Sequence, residues 1–247
     1  MKTKMGDLPL VVLCGGRGTR LRPATDDIPK ALVPVNGQPI IDYIVKFFAL
    51  RGVRDWYICL GYRGEQVRAH LDSQRDAINA HYSDSGEEAG ILERIHALRA
   101  ELPDRFVVAY CDTFIDIDLH RLNEYHNAQD ADATLVTAPI QSPFGVVQRD
   151  EGGKASSFVE KPIQDYFIGY FMMERRLLES LPEELVTRPD GAGIVELFQS
   201  LVDKRQLAAY SHTGLNITFN TDSERLRAER ELDAFFTLRE NRDARGE

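Results

Sequence analysis

The chain has 247 residues, 43% of them hydrophobic and 9% aromatic, enough to bury a sizeable core as one large domain. Thirty Lys and Arg against 39 Asp and Glu leave a net charge of −9, which argues against a nucleic-acid partner and makes any local cluster of cations informative. Cys14, Cys59 and Cys111 each end an apolar run, the placement of buried free thiols rather than a disulfide or metal framework, and the first apolar run is too short for a signal peptide or a membrane span. The expectation is a cytoplasmic, soluble protein with no membrane partner.

Leu8 to Cys14 is a continuous apolar run closed by Gly15 and Gly16, the pattern of a strand buried on both faces in a parallel sheet. Apolar residues at Ile40, Ile44, Phe47 and Phe48, opened by Pro39 and stopped at Gly52, predict a helix. Trp56 to Leu60 predicts a second buried strand, which makes a crossover unit of the doubly wound type. The alternation continues with a helix near Gly64 to Leu71, a strand over Phe106 to Cys111, a helix near Leu119 to Ala128 and a strand over Ala133 to Ala138. Phe144 to Arg149 and Ala155 to Val159, joined by Asp150-Glu151-Gly152-Gly153, read as an antiparallel hairpin. Tyr166 to Met173, Leu207 to Tyr210 and Ile217 to Phe219 predict further strands, and Ile194 to Val202 a helix. Thr221 followed by Glu224 marks the start of a last helix. The fold class is therefore α/β: a doubly wound, mostly parallel sheet of the Rossmann-like kind with a small antiparallel insertion. We expect a single domain over residues 1–240, elaborated at about 140–215, and a charged tail from Asn241 to Glu247 that frays.

Gly15-Gly16-Arg17-Gly18-Thr19-Arg20 follows the first strand directly. Glycines there let the backbone turn tightly and aim N–H groups at an anion, while arginines neutralise phosphate oxygens. The loop lacks the Gly-Lys-Ser/Thr of a Walker sequence, and Leu21 stands where a dinucleotide loop needs its last glycine. Asp112 closes a strand at the edge where open α/β sheets bind ligands, and could hold Mg²⁺. Asp116 is expected to face solvent and Asp118 to cap the helix at Leu119.

The stretch LCGGRGTRLRPATDDIPKALVPVNGQP, from Leu13 to Pro39, resembles the N-terminal signature of the sugar-1-phosphate nucleotidyltransferase family, both in spacing and in residue identity. It resembles glucose-1-phosphate cytidylyltransferase and mannose-1-phosphate guanylyltransferase enzymes in particular. Phe158-Val159-Glu160-Lys161-Pro162 matches that family's F-x-E-K-P motif. The resemblance implies an enzyme whose partners are a nucleoside triphosphate and a sugar 1-phosphate, with Mg²⁺ as cofactor. It makes Arg20 and Lys30 the catalytic cations, and Leu13, Gly15, Gly16, Gly18, Thr19, Arg20 and Gly86 the nucleotide contacts. Glu160, Lys161 and Gly169 would bind the acceptor, and Asp112 and Asn220 the metal.

Three positions depart from the family pattern. Cys111 replaces the glycine that usually precedes the metal-binding aspartate, Asn220 replaces an aspartate, and Tyr166-Phe167-Ile168 replaces an asparagine-bearing strand before Gly169. An amide oxygen still suits Mg²⁺, with less charge. The segment Ser85 to Gly90 is similar to the cytidylyl and guanylyl branches, favouring CTP or GTP. Two alternatives stay open: a phosphocholine-type cytidylyltransferase acting on a non-sugar phosphate, and a non-catalytic nucleotide-sugar-binding homologue. Self-association is also left open by the sequence, as is the identity of the sugar.

Overall fold

A computed structural model of the protein describes residues 8–74, 77–219 and 221–243. Its centre is a sheet built from β1 (Leu10–Leu13), β4 (Asp55–Leu60), β5 (Asn79–Asp84), β6 (Arg105–Tyr110), β8 (Ala133–Gln141), β11 (Ile163–Glu174) and β12 (Leu207–Ser211). The order across it is β12-β8-β11-β6-β1-β4-β5. β11 is antiparallel to both neighbours, and every other pairing in the sheet is parallel.

Parallel strands need long crossovers, which the helices supply. They are α1 (Ile40–Ala49), α2 (Gly64–Asp72), α3 (Ile91–Ala97), α4 (Leu119–Gln129), the short α5 (Arg176–Glu179) and α6 (Glu183–Val186), α7 (Ala192–Asp203) and α8 (Asp222–Asp243). β1 pairs with β4 on one side and β6 on the other, so the chain reverses its winding there. A crevice opens at such a reversal, outside the carboxyl ends of the two strands.

Both faces of the sheet are covered. Val12, Ile58, Val107 and Tyr170 pack under α1, while Val11, Cys59, Val108 and Phe171 pack under α3 and α7. α8 closes the α1 side: Phe235 and Phe236 meet Phe114 at ring-centroid distances of 5.5 and 5.6 Å, and Tyr43 and Phe47 complete the aromatic group. Thr221 caps α8 by accepting from the Glu224 N–H at 3.3 Å, and Asp118 caps α4 by accepting from the His120 and Arg121 N–H groups, as the sequence predicts. The three cysteines are buried and free.

Three small antiparallel pairs decorate the sheet: β2 (Pro34–Val35) with β3 (Gln38–Pro39), β7 (Thr113–Ile115) with β13 (Asn216–Thr218), and β9 (Val146–Arg149) with β10 (Ala155–Val159). The first halves of β11 and the end of β8 run on together beyond the sheet, and with β9 and β10 form an exposed arm bearing Phe144, Phe158 and Ile163. Besides the shortest elements, the sequence does not show β5 or α3, because Asn79 to Asp84 alternates only weakly and α3 has seven residues. α8 runs on to Asp243, and the rest of the tail, Ala244 to Glu247, lies outside the described residues. Among the described residues no helix is long and apolar enough to cross a membrane.

Candidate active site

A cleft of about 470 Å³ lies at the crevice between the ends of β1 and β6. The glycine loop forms one wall. Gly18 takes φ 62°, a left-handed conformation that a side chain resists, and Thr25 donates its hydroxyl to the Gly18 carbonyl at 2.8 Å. The chain then winds into one tight helical turn over Thr19–Leu21, which buries Leu21 and leaves Thr19 and Arg20 on the cleft.

Lys30 begins a second tight turn, Lys30–Leu32, and is itself buried. Its Nζ donates to Asp112 Oδ2 at 2.5 Å. Asp112 follows β6, and its other oxygen accepts from the Thr113 hydroxyl at 3.1 Å. Thr113 faces Thr218 across β7 and β13, their hydroxyls 2.9 Å apart, so β13 runs beside the turn at Asp112. Asn220 itself lies outside the described residues.

Leu13, Gly15, Gly16, Gly18, Thr19, Arg20, Lys30 and Asp112 thus all line one cleft. Gly86 does not line it. That place is taken by the next residues, Glu87, Glu88 and Ala89, because Gly86 turns the chain at φ 83° with its N–H on Asp84 Oδ1. Glu160, Lys161 and Gly169 are outside the cleft as well. Glu160 and Lys161 are exposed on the arm, where β10 has ended and Lys161 takes φ 45°. Gly169, at φ 80°, sits in the register break of β11 against Tyr110 and Thr113.

Other side chains in and around the cleft complete it. Arg17 does not reach toward Lys30; it pairs with Glu87 at 2.5 Å and Glu88 at 3.0 Å, and lies 5.3 Å over the Tyr62 ring. Tyr62 in turn donates its hydroxyl to the Asp26 carbonyl at 2.7 Å, holding the long loop after the glycines. Arg94, from α3, is buried and donates to the carbonyls of Leu60 and Glu87. A signal for Arg94 existed in the sequence only as a cation inside the apolar spacing Ile91, Leu92, Ile95. Asp116, expected to face water, is instead drawn to the buried His212, 3.1 Å away, with its backbone N–H held by the Leu215 carbonyl. Burial pulls the Asp116 carboxyl upward, but the His212 contact outweighs this and holds it below the usual range.

Burial pushes the Tyr110 hydroxyl up to about 12, and the Asp112 charge adds to it, so the phenol stays neutral on the cleft wall. The Cys14 thiol is pushed well up, first by its hydrogen bond with Cys111 and then by burial. Cys111, where the family pattern has glycine, turns its sulfur toward Cys14 at the strand ends. Among the described residues no group of three or more His, Cys, Asp or Glu could hold a metal by itself. Asp112 offers one hard oxygen donor, which fits Mg²⁺, an ion that keeps its waters and takes one or two carboxylates beside substrate phosphates.

Residues 10–214 match the nucleotidyl transferase family model. The chain is 29% identical over 235 residues to a Bacillus subtilis protein named "Probable glucose-1-phosphate cytidylyltransferase", covering 85% of this chain and 91% of that one. It is 27% identical over 216 residues to the mannose-1-phosphate guanylyltransferase catalytic subunit beta of Drosophila pseudoobscura pseudoobscura, covering 83% of this chain and 57% of that longer one. Among solved structures, HddC from Yersinia pseudotuberculosis, complexed with GMP-PN, superposes with a TM-score of 0.68 at 19% identity, over 91% of this chain and 99% of that one. That last likeness speaks for the fold.

Proposed function

Because the chain belongs to the nucleotidyl transferase family, we propose that it joins a sugar 1-phosphate to CTP or GTP, giving a nucleoside-diphosphate sugar and pyrophosphate. The observation that carries this reading is the Lys30 to Asp112 contact of 2.5 Å at the floor of a cleft walled by the glycine loop. A cation and a candidate metal carboxylate there face the same small volume as Arg20.

A phosphate oxygen of the acceptor attacks the α-phosphorus of the triphosphate in line. A new P–O bond forms as the α–β bridging bond breaks, and pyrophosphate leaves with the electron pair. Both reactants are anions, so the protein's contribution is placement and charge neutralisation rather than covalent chemistry. The N–H groups of Gly16 to Thr19 and the Arg20 guanidinium hold the triphosphate, Lys30 neutralises charge near the α-phosphate, and Glu160 and Lys161 on the arm bring the acceptor. Asp112, with Asn220, would hold Mg²⁺, which supplies Lewis-acid stabilisation of phosphoryl oxygens.

The test is pyrophosphate release by the purified protein with Mg²⁺, across CTP, GTP, UTP, TTP and ATP, against a panel of sugar 1-phosphates with phosphocholine as a non-sugar arm. Release that requires a sugar 1-phosphate supports the reading. Release only with phosphocholine moves the acceptor class, and none with any pair overturns it.

A further inference from the structure

Arg94 is 5% exposed, yet no carboxylate pairs with it among the described residues. A guanidinium stripped of water is costly unless acceptors surround it, and it presents five donors in a planar fork. Two go to the carbonyls of Leu60 and Glu87. Its faces are covered by bare backbone: a Cβ built on Gly15 would come within 2.3 Å of it, and one on Gly61 within 2.6 Å. The group is therefore clamped flat, and its remaining edge lines the cleft.

Its position separates it from the phosphate end. Gly18, Thr19, Arg20 and Lys30 gather on one limb of the glycine loop, whereas Arg94 touches the other limb at Gly15, beside Glu87 and Glu88. A nucleotide with its triphosphate on the first limb brings its base to the second. The geometry points to Arg94 as the residue that reads the base: its free N–H groups donate to a ring carbonyl, while the Glu87 and Glu88 carboxylates accept from an exocyclic amine. Arg17 holds those carboxylates in the free protein, but the pairs are solvent-exposed and exchange at little cost. Cytosine and guanine carry both groups; uracil and thymine lack the amine, and adenine lacks the carbonyl. This inference rests on the nucleotidyl-transfer reading and names the determinant within it.

Titration calorimetry of the whole protein with the five nucleotides, and with inorganic tripolyphosphate, tests it. In the wild type CTP or GTP binds about tenfold or more tightly than UTP, TTP and ATP. Arg94→Met removes most of that preference and leaves tripolyphosphate affinity within about twofold, while Arg94→Lys restores part of the preference. A purely structural Arg94 would weaken every nucleotide and tripolyphosphate alike, with the ratios unchanged, and that result overturns the assignment. If Arg94→Met fails to fold, judged by circular dichroism, the wild-type ranking decides: UTP, TTP or ATP bound as tightly as CTP and GTP refutes it. Tripolyphosphate binding and pyrophosphate release without base preference sink this inference alone, whereas neither binding nor release sinks the transfer reading with it.

Discussion

Lys30 and Asp112 stand 82 residues apart in sequence and meet at 2.5 Å, with side chains only 10% and 16% exposed. Each supplies charge to the other where water is scarce, and both face the cleft. We expect Lys30→Ala and Asp112→Ala each to lower pyrophosphate release by about 10²–10³-fold, the usual cost of losing one transition-state contact. The far-ultraviolet circular dichroism of both variants keeps its α/β form. Near-normal release from either would remove these residues from the proposed chemistry.

Arg20 and Arg17 should separate on mutation although they lie three residues apart. Arg17 already has Glu87 and Glu88 as counter-charges, whereas Arg20 is exposed on the cleft beside the tight turn. Arg20→Ala is expected to raise the KM for the nucleotide and to flatten its dependence on salt, since a phosphate contact is lost. Arg17→Ala is expected to leave stability close to that of the wild type, as the loss of an exposed pair does. Equal effects of both variants on tripolyphosphate binding would contradict this division.

The glycines of the site differ in what they tolerate. A Cβ on Gly16 meets nothing within 4 Å, while one on Gly61 would lie 2.7 Å from the Gly15 carbonyl oxygen and 2.6 Å from the Arg94 guanidinium. Gly61→Ala should cost about 1–3 kcal/mol by overpacking, and Gly16→Ala should be close to neutral. Urea denaturation of the two variants measures the contrast, and a stable Gly61→Ala protein would show that the Arg94 clamp is loose.

Glu174 predicts an acid-sensitive contact far from the cleft. Burial pushes its carboxyl up, but hydrogen bonds from His126 and Arg105 outweigh this and hold it below the ordinary range. A depressed folded-state pKa stabilises the protein above the unfolded value, near 4.3 for a glutamate, and that contribution is lost as pH falls through the folded value. Glu174→Gln should therefore cost about 1.5–3 kcal/mol at neutral pH, and the gap to the wild type should shrink below about pH 4. Melting temperatures across pH 3 to 7 check it; a gap that does not narrow in acid would assign the loss to packing.

Apart from β5, the strands of the main sheet and the longer helices were legible in the sequence because they bury apolar runs, as in Leu10–Leu13 and Arg105–Tyr110. So was the loop end of the site, where Gly15, Arg20 and Lys30 sit close together in sequence. α3 was not legible, since seven residues give a helical period too little room, and Arg94 was lost with it. Asp116 was misread because its partner, His212, is distant in sequence and is delivered by the pairing of β12 with β8.

β11 is antiparallel to both neighbours, and its register breaks between Phe167 and Phe171, with Gly169 at φ 80°. Its second half is sealed inside the sheet; its first half leaves the sheet with the arm. Changes to the arm then meet mostly solvent, and the strand break insulates the core from them. The half of the molecule proposed to choose the acceptor can drift in sequence without disturbing the half that grips the nucleotide, which makes acceptor choice the cheaper of the two to alter by selection or by design.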